Sequence, residues 1–464
     1  MIAEINKKYG KEINRVHFIG IGGISMSGFA EILCRKGYVV SGSDWIASDI
    51  TRHLAKLGID IKLGNDAEHI TDDMDLVVYT AAVKPNNPEF AAAKQKNIPT
   101  MDRAQLMGII MGDYAHSIAV AGVHGKTTTT AIISEVLLAA GVDPTISIGG
   151  FLESIGSNFR IGNSSYMVTE TCEYFDSFLQ VYPNVGIVLN VDSDHLDYFG
   201  TFERILESFH RFGQNISEDG TLIIHSDCPE QIRMGLKCNV ITYGDVDSSQ
   251  FWAKDLRYNS EGQPSFTIMD GQNPLAEVRL KLRGRHNVDN CLATAAMATV
   301  LGIPREALVK GLEKAVGARR RFEDKGSYNG IRIIDDYAHH PTEIKASLSS
   351  ATSEGRIICA FQPHTYSRTQ NYMEDFAKAF DLADIILILP VFASREVTIE
   401  ASPNLLSKLL CENIIKNGKN ALFVDNFQSA AEWIKANAMQ RDLLITMGAG
   451  DIHILGEGLI SGDL

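Results

Sequence analysis

The sequence predicts an α/β protein of three domains, built on mostly parallel sheets with helices on their faces. Two observations predict it. Short apolar runs alternate with helix-like segments along most of the 464 residues, and that alternation starts afresh twice after its first appearance. The restarts divide the chain into 1–110, 111–322 and 323–464.

Each element follows from local pattern. In the first segment Val16–Ile19 is an apolar run ending in glycines, and a helical pattern through Phe29–Leu33 leads to a strand at Tyr38–Ser43. Leu76–Thr80 then opens a loop rich in Pro and Asn. The second segment starts at Ser117–Ala121, which feeds a glycine-rich turn and a helix to about Ala140. Strands are expected at Tyr166–Glu170, Val185–Asn190 and Thr221–His225, and an Ala-rich helix at Asn287–Leu301. The third segment follows the basic cluster Arg319–Arg321, with strands at Ile331–Ile334, Ile357–Phe361, Ile385–Leu389 and Leu443–Met447.

Composition narrows the function classes. Apolar residues make up 45% and charged residues 22%, ordinary for a soluble globular chain with ample cores. The net charge of −14 argues against a duplex-binding face. The seven Cys are odd in number and form no CxxC pair. With no charged-then-apolar leader, they are expected to be reduced thiols in a cytoplasmic protein. No apolar run reaches the length of a membrane span.

The strongest motif is Ala121-Gly122-Val123-His124-Gly125-Lys126-Thr127-Thr128. A strand runs into a glycine-rich turn, and Lys-Thr opens a helix. Such a turn aims backbone N–H groups at one point, and the helix N-terminus adds partial positive charge. Lys126 can reach outer phosphates and a Thr hydroxyl can hold Mg²⁺. The pattern departs from the usual phosphate loop at Val120, where Gly is the rule. The bland alternative is a strand–helix turn capped by Thr.

Two acidic strand ends stand downstream, Glu170-Thr-Cys-Glu173 and Asn190-Val-Asp192-Ser-Asp194-His195-Leu-Asp197. Carboxyl ends of parallel strands face the crevice that holds the phosphate loop. Carboxylate oxygen and imidazole nitrogen there suit Mg²⁺ or Mn²⁺, the alternative being a solvated acidic loop. Near the N-terminus Gly20, Gly22 and Gly23 also follow a strand, with Ser25 where a dinucleotide fingerprint has its third Gly. Asp44 ends the next strand, where a ribose-binding acid belongs. These residues predict a diphosphate site and leave the nucleoside open. Two further clusters, Asp335–Thr342 and Gln362–Arg368, place His-rich polar sequence at strand ends. They are either functional loops or ordinary turns around Pro341 and Pro363.

Together these motifs resemble the Mur ligase family, most closely its members that add L-alanine. The resemblance runs nearly end to end. It rests on His17–Gly23, Gly122–Thr128, Glu170–Leu179 with Tyr182-Pro183, Asp194–Phe199, Gly284–Asn290, Arg320–Glu323, Asp335–Glu343, Phe361–Thr369 and Met447–Ile452. It implies a Rossmann-like N-terminal domain for a UDP-sugar, a central P-loop ATPase and a mobile Rossmann-like C-terminal domain. It also implies a reaction. The carboxylate of UDP-N-acetylmuramate attacks the γ-phosphate of ATP, and the amine of L-alanine attacks the resulting acyl phosphate.

Roles are implied residue by residue. Lys126 bridges phosphate oxygens, and Thr127, Glu173 and His195 hold Mg²⁺ or Mn²⁺. Arg321 approaches the γ-phosphate as the C-terminal domain closes. His286 and Asn290 lie near adenine and Asp336 near the ATP ribose. Tyr337, His339 and Arg368 bind L-alanine, Arg368 through its carboxylate.

Departures from the family pattern are Gly64-Asn65 in place of Gly-His, Thr365 in place of Arg, and a loose match at Pro390–Glu396. No Lys occurs between Lys126 and Lys237, so the carbamoylated lysine of some sister ligases is expected to be absent. Three rivals stand beside this reading. A tripeptide ligase acting on the same sugar nucleotide would differ only in its amine, and Glu170–Leu179 and Asp194–Phe199 look more like the alanine enzyme. A nicotinamide-dependent oxidoreductase is opposed by Ser25 and by the second phosphate loop. A non-catalytic nucleotide-binding module is opposed by the acidic, His-bearing strand ends.

Overall fold

A computed structural model of the chain describes residues 2–80, 83–394, 396 and 403–464. Three sheets organise it, and each grows from apolar runs of the kind seen in sequence. The first contains β1 (Arg15–Ile19), β2 (Val39–Asp44), β3 (Asp60–Leu63), β4 (Leu76–Tyr79) and β5 (Thr100–Asp102). Its strand order is β3-β2-β1-β4-β5, and every pairing is parallel. The order reverses direction between β1 and β4, which opens a ligand crevice at the carboxyl ends of the strands. Val16, Phe18 and Ile19 are buried because helices cover both faces, so the run reads as continuously apolar.

The second sheet has ten strands. They are β6 (His116–Ala121), β7 (Thr145–Leu152), β8 (Ser157–Arg160), β9 (Tyr166–Glu170), β10 (Val185–Val188), β11 (Thr221–His225), β12 (Asn239–Gly244), β13 (Phe251–Tyr258), β14 (Pro264–Asp270) and β15 (Asn273–Arg279). The order is β15-β14-β13-β12-β11-β10-β6-β9-β7-β8. β6 lies parallel between β9 and β10, so the loop after it opens at a second reversal of strand order. β7 and β8 form an antiparallel pair.

The third sheet comprises β16 (Glu323–Tyr328), β17 (Ile331–Asp336), β18 (Ile357–Phe361), β19 (Ile385–Ile388), β20 (Ala421–Phe423) and β21 (Leu443–Met447). Its order is β16-β17-β21-β18-β19-β20, with only the β16–β17 pair antiparallel.

Packing divides the chain into two compact units. One holds Met1–Lys254, Thr267–Glu277 and Asp289–Lys314; the other holds Asp255–Phe266, Val278–Val288 and Ala315–Leu464. The first has a core around Phe18, Phe29, Phe178 and Phe212. The second packs Phe361, Phe376 and Phe380 on one face of its sheet, and Ile333, Ile358 and Leu444 on the other.

The structure departs from the sequence expectations in detail. Asp44 belongs to β2 itself, and the expected strand to Asn190 ends at Val188. Phe251–Arg279 supplies three strands with no apolar run to announce them, because β13 and β15 leave many side chains exposed. A helix, Ile2–Tyr9, precedes β1. Among the described residues no helix is long and apolar enough to cross a membrane.

Candidate active site

The phosphate-loop residues stand between buried β6 and the helix Lys126–Ala139. Gly122 (φ 137°) and Gly125 (φ 84°) hold backbone angles that favour glycine. A Cβ at Gly122 would also press to 3.0 Å on Leu189. Asn190 clasps the loop from the end of β10. Its Oδ1 accepts from the His124 N–H at 2.8 Å and its Nδ2 donates to the His124 carbonyl at 2.9 Å. The Val123 amide points at the Asn190 carbonyl, 3.4 Å away. Asn290 approaches the same loop, its Oδ1 3.3 Å from where a Gly125 Cβ would stand. Thr128, half-buried, sits in the first turn of the helix.

The Lys126 ammonium donates to the carbonyls of Gly122 (2.5 Å) and Val123 (3.0 Å) and to Glu173 Oε2 (2.9 Å). Burial alone would lower its pKa. Glu173, with Cys172 and Glu170, outweighs that and raises it, so the lysine remains cationic. The Thr127 hydroxyl donates to Glu170 Oε2 at 2.7 Å. The Glu173 carboxylate is almost fully buried and lies 3.7 Å from His195 Nε2.

His195 is held in a left-handed conformation (φ 54°), with its amide on Asp194 Oδ1 at 2.7 Å. The Tyr174 ring stacks on its imidazole at 4.3 Å and 24°. Phe175 and Asp176 are also left-handed, an unusual pair of non-glycine residues. Asp176 anchors that kink by accepting from the hydroxyls of Tyr198 (2.9 Å) and Ser208. Glu173 and His195 thus face each other, while the Thr127 hydroxyl at the start of its helix is held by Glu170 of the same strand end. This set of oxygen and nitrogen donors fits Mg²⁺ or Mn²⁺.

The N-terminal glycines form a second turn in the same unit. The amides of Gly20 and Ile21 both donate to the Ser43 carbonyl at 2.9 Å. The Gly22 amide donates to Asp44 Oδ2 at 2.8 Å, and a Cβ on Gly22 would sit 2.8 Å from that oxygen. Gly23 caps the helix Ile24–Arg35, in whose first turn Ser25 lies. First-turn amides have no partner within their own helix, so the turn ends on an anion-seeking helix N-terminus.

The second unit gathers the later motifs. Arg320 staples them together: its guanidinium reaches Asp335 (2.9 Å), the Gly450 carbonyl (2.9 Å) and the Gly448 carbonyl (2.8 Å). Its own carbonyl accepts from the Tyr337 amide at 2.7 Å. The guanidiniums of Arg321 and Arg320 lie 4.9 and 5.2 Å from the Tyr337 ring centre. Burial pushes the Asp336 carboxyl up to about 6, while the Ser347 hydroxyl (2.6 Å) and Arg321 pull it back.

Burial also pushes His339 down to about 4. Its Nδ1 lies 3.0 Å from the Tyr337 carbonyl, which can only accept, so Nδ1 carries the proton and Nε2 is the basic nitrogen. His364 is pushed down to about 3 by burial and by the charges of His339 and Arg368. Its Nδ1 faces Arg368 Nη1 at 3.2 Å and must be the acceptor. His364 also stacks on Phe392 at 5.8 Å.

The helix Tyr366–Asn371, which carries Arg368, is capped by Thr365 and by Glu396, whose Oε2 accepts from the Tyr366 amide at 2.6 Å. Glu396 is the described end of the loosely matching Pro390–Glu396 segment; Arg395 lies outside the described residues. His286, pushed down to about 4 by burial, belongs to this second unit, whereas Asn290 belongs to the first.

Most residues singled out in sequence therefore fall into three local groups. Sequence reasoning gave no individual role to Asn190, His364, Arg320 or Glu396, and took Glu170 only as part of an acidic strand end suited to a metal. Their signal was position, since Glu170, Asn190 and His364 stand at or just beyond strand ends and Arg320 just before one.

A glycine loop at a reversal of strand order, a buried cationic lysine and facing carboxylates define a nucleotide-using α/β enzyme. Comparison with known proteins makes the class specific. Residues 15–115 match the Mur ligase family catalytic domain, 120–298 the Mur ligase middle domain, and 320–450 the Mur ligase glutamate ligase domain. The chain is 46% identical over 449 residues to the UDP-N-acetylmuramate–L-alanine ligase of Agathobacter rectalis, covering 96% of this chain and 97% of the relative. The enzyme of the same name from Acetivibrio thermocellus is 46% identical over 451 residues, covering 96% of this chain and 95% of the relative. Among solved structures, the UDP-N-acetylmuramate–alanine ligase of Thermotoga maritima superposes with a TM-score of 0.78 at 29% identity, over 97% of this chain and 99% of that one. A murein peptide ligase from Psychrobacter arcticus shares the fold, with a TM-score of 0.67 at 24% identity over 97% of this chain and 98% of that one. The chain belongs to the Mur ligase family.

Proposed function

We propose that this protein is an ATP-dependent ligase that joins L-alanine to the carboxylate of UDP-N-acetylmuramate, in bacterial peptidoglycan precursor synthesis in the cytoplasm. The observation that carries the reading is Lys126, kept cationic at the phosphate loop by Glu173. The relatives named for this reaction support the choice of substrates. Residues 1–110 bind the UDP-sugar, 111–322 bind ATP and 323–464 bind the amino acid.

The sugar carboxylate attacks the γ-phosphorus and ADP leaves. The alanine nitrogen then attacks the acyl carbon, phosphate leaves, and the nitrogen loses a proton. The first step brings two anions together. Two like unit charges at about 4 Å repel by about 1 kcal/mol in water and several-fold more in a drier site. Lys126 and Arg321 offset that repulsion, and a divalent ion held by Thr127, Glu173 and His195 supplies further positive charge when bound.

His286, Asn290 and Asp336 contact the adenosine, and Gly20, Gly22, Gly23, Ser25 and Asp44 frame the sugar-nucleotide diphosphate. At the amine end Arg368 grips the alanine carboxylate, and Tyr337 and His339 line the pocket. A neutral imidazole at His339 does not repel the incoming ammonium.

Phosphate release with UDP-N-acetylmuramate, ATP and a divalent ion tests the reading. L-alanine is expected to drive release, with neither a tripeptide nor NAD supporting any reaction. Preference for the tripeptide would move the protein to the recycling branch of the same reaction class.

A further inference from the structure

Behind the N-terminal glycine turn lies a buried polar hub that none of the roles above uses. Glu89, in the first turn of the helix Pro88–Gln95, is fully buried. Its Oε2 accepts from the Ser43 hydroxyl at 2.7 Å. Its Oε1 faces His69 Nδ1 at 2.9 Å and His17 Nε2 at 3.4 Å. His17, fully buried in β1, reaches the Ser41 hydroxyl through Nδ1 at 2.9 Å. Taking a carboxylate out of water costs several kcal/mol, and apolar side chains would fill such a core at least as stably. Two hydrogen bonds, from the Ser43 hydroxyl and His69 Nδ1, and the N-terminus of its own helix offset that cost, and they also fix the carboxylate in one orientation.

Ser43 links this hub to the turn. Its side chain is tied to Glu89, and its carbonyl accepts the amides of both Gly20 and Ile21. The next residue, Asp44, takes the Gly22 amide. With both ends of Ser43 engaged, its peptide plane cannot rotate without breaking a buried hydrogen bond. The turn and the helix N-terminus after it inherit that orientation.

We propose that Glu89 is a positioning residue for the sugar nucleotide: through Ser43 it sets the glycine turn that receives the diphosphate. The proposal rests on reading that turn as the UDP-sugar site. The experiment uses the full chain with Glu89→Gln, and Ser43→Ala as a milder cut that keeps the carbonyl and deletes the hydroxyl. Hydrogen exchange is followed at Gly20–Gly23 without ligand, and KM is measured for each substrate.

In Glu89→Gln, exchange at Gly20 and Ile21 should quicken at least tenfold while Phe18 in β1 stays protected. The KM for UDP-N-acetylmuramate should rise at least fivefold, with those for ATP and L-alanine within twofold. Ser43→Ala should shift both readouts the same way by a smaller factor, and it decides the matter if Glu89→Gln does not fold. Unchanged exchange at the turn in the folded variants overturns the proposal. So does a parallel rise of all three KM values, which marks general loosening. If UDP-N-acetylmuramate does not protect the wild-type turn amides, the diphosphate reading itself fails, whatever the variants do to exchange.

Discussion

The two strand-end clusters that carry the proposed chemistry treat charge in opposite ways. Around the phosphate loop, Lys126 stays cationic despite its burial because Glu173 lies 2.9 Å from its ammonium. In the C-terminal cluster, burial wins. His339 and His364 are pushed down to about 4 and about 3, and Asp336 is pushed up to about 6. The difference follows from the ligands. A triphosphate is recognised by fixed positive charge that does not reorganise during the reaction. An amine must reach its electrophile uncharged, so the proposed amine pocket suits groups that prefer neutrality, with Arg368 proposed as the cation for the carboxylate end.

The largest expected effect lies on the charged side. Lys126→Ala removes the cation at the phosphate loop and leaves Glu173 buried without its 2.9 Å partner. Loss of one preorganised donor of this kind costs about 3–4 kcal/mol, on the order of 10²–10³ in turnover. Steady-state ligation with matched melting curves checks it. Turnover within threefold of wild type would erase the distinction between the two clusters.

Arg368→Lys probes the neutral side, with a smaller effect. A guanidinium grips a carboxylate through two parallel hydrogen bonds, whereas an ammonium offers a point charge. The KM for L-alanine should rise about tenfold, the cost of roughly one charge-assisted hydrogen bond. The KM for ATP should stay within twofold. The geometry also shows a second loss, since Arg368 Nη1 satisfies His364 Nδ1 at 3.2 Å. Equal KM values for L-alanine in the two proteins would assign Arg368 to holding His364 alone.

How much of this was legible in sequence depended on what kind of signal each element carries. β9, β11, β18 and β21 coincide with apolar runs read directly, because a parallel strand buried on both faces writes its length in consecutive apolar residues. Phe251–Tyr258 escaped because its exposed positions break the run. Lys126 and Glu173 could be brought together from sequence, since the carboxyl ends of parallel strands face one crevice. The left-handed turn at Phe175–Asp176 could not, because neither residue type announces it. His364 was seen as part of a cluster but received no role. Its importance comes from facing Arg368 and His339 at once, a relation between loops that spacing does not encode.

The smallest expected effect is on pH dependence, and it tests whether the C-terminal cluster is held neutral. His339 and His364 have folded pKa values of about 4 and about 3, against 6.5 for an ordinary histidine. Below pH 6.5 the unfolded chain therefore binds protons that the folded one refuses, and acid destabilises the fold through both residues. Asp336 acts oppositely. Its folded value of about 6 against 3.8 makes the folded state the better proton binder between those limits, so acid stabilises through it. With His286, also pushed down to about 4 in this unit, three histidines against one aspartate leave a net uptake of about two protons on unfolding near pH 5.5, a slope of about 2.6 kcal/mol per pH unit. His364→Asn removes one histidine and should cut that slope by about 1 kcal/mol per pH unit. The lost hydrogen bond to Arg368 adds only an offset that does not vary with pH. Hydrogen exchange at the β18 amides, compared in the two proteins from pH 7 to 5, separates slope from offset and reports on this unit alone. Parallel curves would mean that His364 takes up its proton normally in the fold, and the opposition between the charged and neutral clusters would then rest on His339 and Asp336.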